Sequence, residues 1–317
     1  MKIRTVCVLG GTGFVGRHLV ARLANSGRVV KVLSRRSERH RALRVLPNLI
    51  LVEADVHEPE ILAKNFAECD AVINLVGILN GSSAAFRGVH VELPKRVVEA
   101  CKEAGVKRLL HMSALNADAV NGTSEYLRSK GTGEQIALAA GEAGIAVTSF
   151  RPSVIFGPDD SFFNRFSALL KVSPMLPLAC PYARFAPVYV DNVTQAFEQT
   201  LEDESVFGEG LEICGPNVYT LKELVEYTAR LIARRRLIIG LPDGIARLQG
   251  RILQHVPGQP FTVDNFNSLQ VDSVCRSDGL ARLGIAPHSV EGIMPTFLSN
   301  RTREGRYRRF RGSARRE

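Results

Sequence analysis

One short stretch narrows the folds open to this chain more than any other: Gly10-Gly11-Thr12-Gly13-Phe14-Val15-Gly16. It follows an apolar run, Arg4–Leu9, and opens a segment, Phe14–Asn25, with apolar residues at 14, 15, 19, 20 and 23. That spacing predicts a helix, and Gly27 predicts its stop. A G-x-x-G-x-x-G turn between strand and helix aims backbone N–H groups and the positive helix end at one spot, where a pyrophosphate can sit. Gly10 is expected to permit the tight turn, Gly13 to let the pyrophosphate approach the backbone, and Gly16 to let the helix pack close to the sheet. Gly10, Thr12, Gly13, Phe14, Val15 and Gly16 are thus the first candidate residues of a nicotinamide dinucleotide site.

The segments that follow keep alternating. Strands are predicted at Val29–Leu33, Leu49–Glu53, Ala71–Val76, Arg108–Met112 and Ile145–Phe150. Helices are predicted at Leu93–Ala104, closed by Gly105, and at Ser124–Ala143. Strands separated by helical stretches imply right-handed crossovers and a parallel sheet. The expected fold is α/β, a Rossmann-type doubly wound parallel sheet. After Arg151-Pro152 the pattern changes: prolines stand at 158, 174, 177, 181 and 187, and the elements shorten. A smaller, mixed C-terminal substrate lobe is expected there, with helices at Thr220–Ala233 and Gly244–His255 and a strand at Leu237–Leu241 between them. The expected division is a nucleotide-binding domain at 1–157, the substrate or partner lobe at 158–299, and a basic, disordered tail at 300–317.

The end of the second strand distinguishes NAD from NADP. A carboxylate there bonds the ribose 2′-hydroxyl, whereas arginine accommodates a 2′-phosphate. Here the residues are Ser34-Arg35-Arg36, with no acid. Arg35 or Arg36 could grip a phosphate bidentately, so NADP(H) is favoured over NAD(H). Surface charge is the competing reading, because Arg39, Arg41 and Arg44 follow closely. Asp55-Val56 after the third strand suits the adenine edge, and Leu75-Val76-Gly77 after the fourth suits the adenosine ribose.

Tyr126-Leu127-Arg128-Ser129-Lys130 opens the long helix. Residues four apart share a helical face, so Tyr126 and Lys130 are candidate catalytic and cofactor-contacting residues. A lysine ammonium beside the tyrosine would lower the phenol pKa. The tyrosine could then exchange a proton with a carbonyl or alcohol while hydride moves at the nicotinamide.

The formal net charge is +9, but residues 300–317 hold eight arginines and two glutamates, a net of +6. The basic balance is therefore largely a property of the tail. Such a tail could attract anionic lipid or an acidic partner; nucleic acid is not expected as a partner. The six cysteines form no Cys-x-x-Cys pair, and the seven histidines show no metal-ligand spacing, so no metal is expected. Cysteines in apolar stretches behave as small hydrophobes, and free thiols in a reducing, cytoplasmic setting are the expectation. Met1–Val20 is broken by glycines and lacks a small-residue cleavage site, so it is read as a folded strand and turn. No apolar run approaches the roughly 18 residues of a membrane span.

Taken together, Gly10–Gly16, Gly105-Val106-Lys107-Arg108, His111-Met112-Ser113-Ala114-Leu115, Tyr126–Lys130, Arg151–Pro158 and Arg184–Val193 carry a resemblance. The chain resembles the atypical extended short-chain dehydrogenase/reductases of the NAD-dependent epimerase/dehydratase superfamily. Among these it is similar to the group named for the nucleotide-binding accessory subunit of respiratory complex I (alpha-subcomplex subunit nine type). That resemblance implies a serine or threonine after the fifth strand acting with the tyrosine and lysine. Ser113 stands near that place, with Ala114 beside it. An asparagine common in the family before the preceding helix is replaced by His90. The resemblance also implies that Pro152 and Val154 lie near the nicotinamide and that 186–205 returns to the main domain.

Three functions compete at this point. One is an oxidoreductase or isomerase using NADP(H). Another is a nucleotide-binding accessory or assembly protein with respiratory or quinone-biosynthesis partners, peripheral to the inner face of a membrane through its basic tail. A nucleotide-sugar epimerase or dehydratase is the third, although no uridine-diphosphate signature is evident in the second lobe.

Overall fold

The computed structural model describes residues 2–298. The basic tail expected to be disordered at 300–317 lies outside the described residues. In chain order the elements begin β1 (Thr5–Leu9), α1 (Phe14–Asn25), β2 (Val29–Ser34), β3 (Leu49–Glu53), α2 (Pro59–Phe66), β4 (Ala71–Asn74) and α3 (Ser83–Arg87). They continue with α4 (Leu93–Ala104), β5 (Arg108–Met112), α5 (Glu125–Ala139), β6 (Ala146–Pro152), β7 (Ile155–Phe156), α6 (Phe162–Val172), β8 (Met175–Leu178), β9 (Arg184–Phe185), β10 (Val188–Tyr189) and α7 (Val190–Thr200). The last are β11 (Glu209–Ile213), β12 (Tyr219–Thr220), α8 (Leu221–Leu231), β13 (Leu237–Gly240), α9 (Asp243–Leu253), α10 (Val263–Ser268), α11 (Gly279–Arg282) and α12 (Val290–Leu298).

Seven strands form the main sheet in the order β11-β6-β5-β4-β1-β2-β3. Every pairing in it is parallel. This is the doubly wound Rossmann-type sheet expected from the alternation. The order reverses between β1 and β4, and ligands of such sheets bind at that crevice, outside the carboxyl ends of the strands. The inner strands are apolar almost throughout because helices cover both faces: β4 and β5 are buried along their whole length. Leu62 and Phe66 of α2 and Leu93, Val97 and Cys101 of α4 share one core cluster with Cys7, Val72 and Leu109 of the sheet.

The chain divides into two compact units, the first being Met1–Pro152, Asp191–Ile213 and Arg276–Ile285. The second contains Ser153–Val190, Cys214–Cys275 and, among the described residues, 286–298. It has its own core, built on Phe156, Phe163, Leu170, Leu224, Val225 and Met294. Its two-stranded sheets pair β7 with β10, β8 with β13, and β9 with β12.

The expectation of free thiols holds for Cys7, Cys69, Cys101 and Cys180, all buried. It is corrected at the other two: Cys214 and Cys275 form a disulfide across a separation of 61 residues. Neither lies in a motif with local spacing, so the fold alone brings them together.

Candidate dinucleotide-binding site

The glycine turn is built as its spacing requires. Gly10 has φ of +78°, in the left-handed region that glycine enters at no steric cost. Its carbonyl accepts from the Gly13 N–H at 3.0 Å. At Gly16 a Cβ atom would stand 2.2 Å from the Gly10 oxygen and 2.6 Å from the Gly11 Cα, so any side chain would push α1 off the turn. Gly13 caps α1 without a side-chain hydrogen bond, and the first turn carries no acid. The leading N–H groups of the helix therefore face outward with the positive end of its dipole and no built-in anion. Thr12, Phe14 and Val15 complete the turn.

The neighbouring strand ends converge on it. A Cβ at Gly10 would lie 3.1 Å from the Leu75 carbonyl carbon and 3.2 Å from the Val76 nitrogen, which shows how closely the loops after β1 and β4 pack. Asn74, buried, accepts the Val76 N–H on Oδ1 at 3.1 Å and fixes the course of Leu75-Val76-Gly77. At the end of β2, Ser34 is buried while Arg35 and Arg36 are exposed. Neither arginine has an ion-pair partner among the described residues; Glu38 pairs with Arg41 and Arg44 instead. One acid missed in the sequence comes close, since register places Glu53 of β3 opposite Ser34. Its carboxylate is already engaged: Oε2 accepts from the Ser37 hydroxyl at 2.7 Å and the Ser37 N–H at 3.1 Å. Asp55 accepts the His57 N–H on Oδ1 at 3.0 Å, and Val56 is buried beside it.

Tyr126 and Lys130 lie in the first turns of α5, whose N-cap Ser124 accepts the Leu127 N–H at 3.1 Å. Lys130 is buried and donates from Nζ to the Met112 carbonyl at 2.5 Å. Burial pushes its pKa down to about 8, with Glu134 opposing. A Cβ on Gly77 would be 3.8 Å from that Nζ and 3.6 Å from His90 Nε2, so the end of β4 and the start of α5 meet there. The expected lowering of the tyrosine is corrected: burial pushes the Tyr126 phenol up to about 12. Desolvation penalises the phenolate, so the protonated phenol is the stable form.

His90 was legible only as a departure from an asparagine, yet it ties these parts together. It sits in a π-helical turn, Gly88–Glu92, between α3 and α4. Nε2 accepts the Ile78 N–H at 3.1 Å, and Nδ1 lies 2.9 Å from Ser129 Oγ. Ser129 in turn donates to the Tyr126 carbonyl at 2.9 Å. The ring stacks on Phe86 and meets Tyr126 edge to face, with centroids 5.6 Å apart in each case. Burial, followed by the Lys130 charge, pushes the His90 pKa down to about 3. The spacing Tyr126-x-x-Ser129 was visible in sequence, but nothing local linked it to residue 90.

A family model described as "NAD dependent epimerase/dehydratase family" matches residues 6–208, close to two thirds of the chain. The chain belongs to that family. Among curated relatives, a rat protein, "NADH dehydrogenase [ubiquinone] 1 alpha subcomplex subunit 9, mitochondrial", is 30% identical over 90% of this chain and 77% of its own length. "Ceramide reductase" of Caulobacter vibrioides is 28% identical over 75% of this chain and 74% of its own. A solved structure of MoeE5 with UDP-glucuronic acid and NAD superposes with a TM-score of 0.73 at 21% identity, covering 96% of this chain and 99% of that one. It shares the fold.

Ser113, expected to act with Tyr126 and Lys130, is buried and hydrogen-bonded within the fold. The Ser113 hydroxyl donates to Glu134 Oε2 at 3.1 Å, and Glu134 is held by Arg151 at 2.8 Å. All of this belongs to the packing of α5 on β6. Pro152 ends β6, and its carbonyl accepts the Leu115 N–H at 3.1 Å. Val154 belongs to the second unit, where its carbonyl accepts the Val188 N–H.

Proposed function

We propose that this protein is an oxidoreductase-like member of the family that holds NADP(H) in preference to NAD(H). The observation that carries the preference is the end of β2. Two exposed arginines there have no carboxylate partner among the described residues, while Glu53, in register with Ser34, has its Oε2 engaged by Ser37. A 2′-phosphate would find two guanidinium groups with no competing ion pair, whereas the carboxylate in register with Ser34 is turned toward Ser37. The fit of the dinucleotide rests on the uncapped start of α1 and the space kept at Gly16. Gly10, Thr12, Gly13, Phe14, Val15 and Gly16 would take the pyrophosphate, and Ser34, Arg35 and Arg36 the 2′-phosphate. Asp55, Val56, Leu75, Val76 and Gly77 would flank the adenosine, and Tyr126, Lys130, Pro152 and Val154 the nicotinamide end.

When bound, the nicotinamide supplies hydride transfer. This chain's contribution is to keep a proton on Tyr126 Oη and a partly neutralised ammonium at Lys130. A phenol held near 12 suits proton donation to a carbonyl oxygen better than proton abstraction. The commitment of Ser113 to Glu134 favours a second reading, in which the protein retains its dinucleotide with little turnover. The similarity to a complex I subunit supports a respiratory or quinone-linked partner in that case.

Calorimetric titration with NADPH and NADH tests the preference. NADPH should bind at least about ten-fold more tightly, and Arg35→Ser with Arg36→Ser should remove most of that margin while leaving NADH unchanged. Tighter binding of NADH by the wild type would refute the assignment. Single-turnover oxidation of bound NADPH by carbonyl substrates, compared between wild type and Tyr126→Phe, separates turnover from retention.

A further inference from the structure

The second unit carries an outward face that its own core does not use. Helix α9 buries Ala246 and Gly250 and turns Ile245, Leu248 and Ile252 to solvent, at 54%, 54% and 59% exposure. Those three stand at i, i+3 and i+7, one stripe of a helix. Val256, in the turn that follows the helix, is also exposed. Beside it runs a second stripe, Arg247 and Arg251 at i and i+4, both exposed. Neither arginine has an ion-pair partner among the described residues, and the helix's one acid, Asp243, sits at its first residue.

The adjoining strands repeat the pattern. On the paired strands β8 and β13, Met175 and Leu237 stand in register and both are exposed, as is Ile239 two residues on. Gln249 of α9 donates to the Pro177 carbonyl of β8, so helix and sheet form one region. Arg234 and Arg235, also exposed, precede β13.

We infer that this face docks on an anionic lipid bilayer. A narrow apolar stripe flanked by arginines is the design of a helix that lies in the interface plane, its apolar side chains in the acyl boundary and its basic ones reaching headgroup phosphates. A second copy of the chain is a poor occupant, because a two-fold contact sets the same patch against itself and so places arginine against arginine. The occupant therefore has to be apolar in its depth and negative at its surface, as such a leaflet is.

The chain contains no tryptophan, so Leu248→Trp in the full protein supplies a reporter on an exposed position. Phosphatidylcholine vesicles containing roughly one-third phosphatidylglycerol should shift its emission to the blue and expose it to quenching by acyl-brominated lipid. Ile252→Trp should behave likewise, and Val120→Trp, 79% exposed in the first unit, should not. Arg247→Gln with Arg251→Gln should lower partitioning by roughly ten-fold or more. Pelleting with vesicles without a shift at 248 or 252 would assign the binding to another part of the chain and overturn the inference. So would absence of vesicle binding, which leaves the face to a protein partner. A concentration-dependent dimer abolished by Leu248→Asp would overturn it in favour of self-association.

Discussion

His90 stays neutral because both its nitrogens are committed, Nε2 to the Ile78 N–H and Nδ1 to Ser129, in a buried site beside Lys130. A second positive charge there would face the lysine and lose the Ile78 hydrogen bond. The consequence for stability has a definite sign. The folded pKa of about 3 lies below the ordinary 6.5, so below pH 6.5 the unfolded chain binds the proton first. Stability is then lost as pH falls from about 6.5 toward 3, at about 1.4 kcal/mol per pH unit from this group. His90→Gln keeps an acceptor and a donor without a titrating ring. Urea unfolding at a series of pH values should show a slope shallower by about that amount between pH 6 and 4. Identical slopes in the two proteins would dismiss the neutral imidazole. His111, buried and also pushed well down by burial, is present in both and cancels in the difference.

At the scale of elements, α5 owes its position to two glycines that helix propensity disfavours by about 1 kcal/mol each. A Cβ at Gly131 would stand 2.4 Å from the Ala119 nitrogen, and one at Gly133 2.0 Å from the His90 carbonyl oxygen. These are backbone neighbours that cannot swing aside. Gly133→Ala should therefore cost more than the propensity it gains, about 1–3 kcal/mol net. It should also weaken dinucleotide binding by displacing Lys130 from the β4 end. Stability equal to or above wild type would mean that the π turn yields easily. Helices α1 and α4 were legible to their end residues, because glycine follows each and apolar spacing fills the interior. Helix α8, expected within Thr220–Ala233, is opened by a capping box between Thr220 and Glu223. Three features had no local mark. Strand β11 is five residues long with Glu209 and Glu212 in it, and only its pairing with β6 makes it a strand. The π turn at Gly88–Glu92 is an inserted residue within a helical stretch, invisible to periodicity. Glu53 reads as the end of a strand, and its place beside Ser37 depends on register between β2 and β3. The glycine turn was legible because its function and its fold require the same residues in the same order. Partners such as Ser129 and Glu134 were not, because they are chosen by packing.

For the whole molecule the disulfide is the main departure from what the composition suggested. Thiol titration of the denatured protein should give four reactive groups before reduction and six after. A bridge closing 61 residues limits the unfolded chain by up to about 4 kcal/mol in the chain-entropy account. Reduction, or Cys214→Ser with Cys275→Ser, should thus lower the melting temperature of the second unit with less effect on dinucleotide binding by the first. Six thiols before reduction would remove the bridge from the structure. Where the bridge sits matters as much as its strength. The chain leaves the first unit after Ile213 and re-enters it at Arg276, and Cys214 and Cys275 are the residues next to those two crossings. The segment between them is a ring tied at its neck. Its two feet stay together whether the ring is folded, nicked by a protease or altered in length. Both α9 and β13 lie on that ring, so the face they expose can be rewritten as a cassette while the neck holds the two crossings at Ile213 and Arg276 in place.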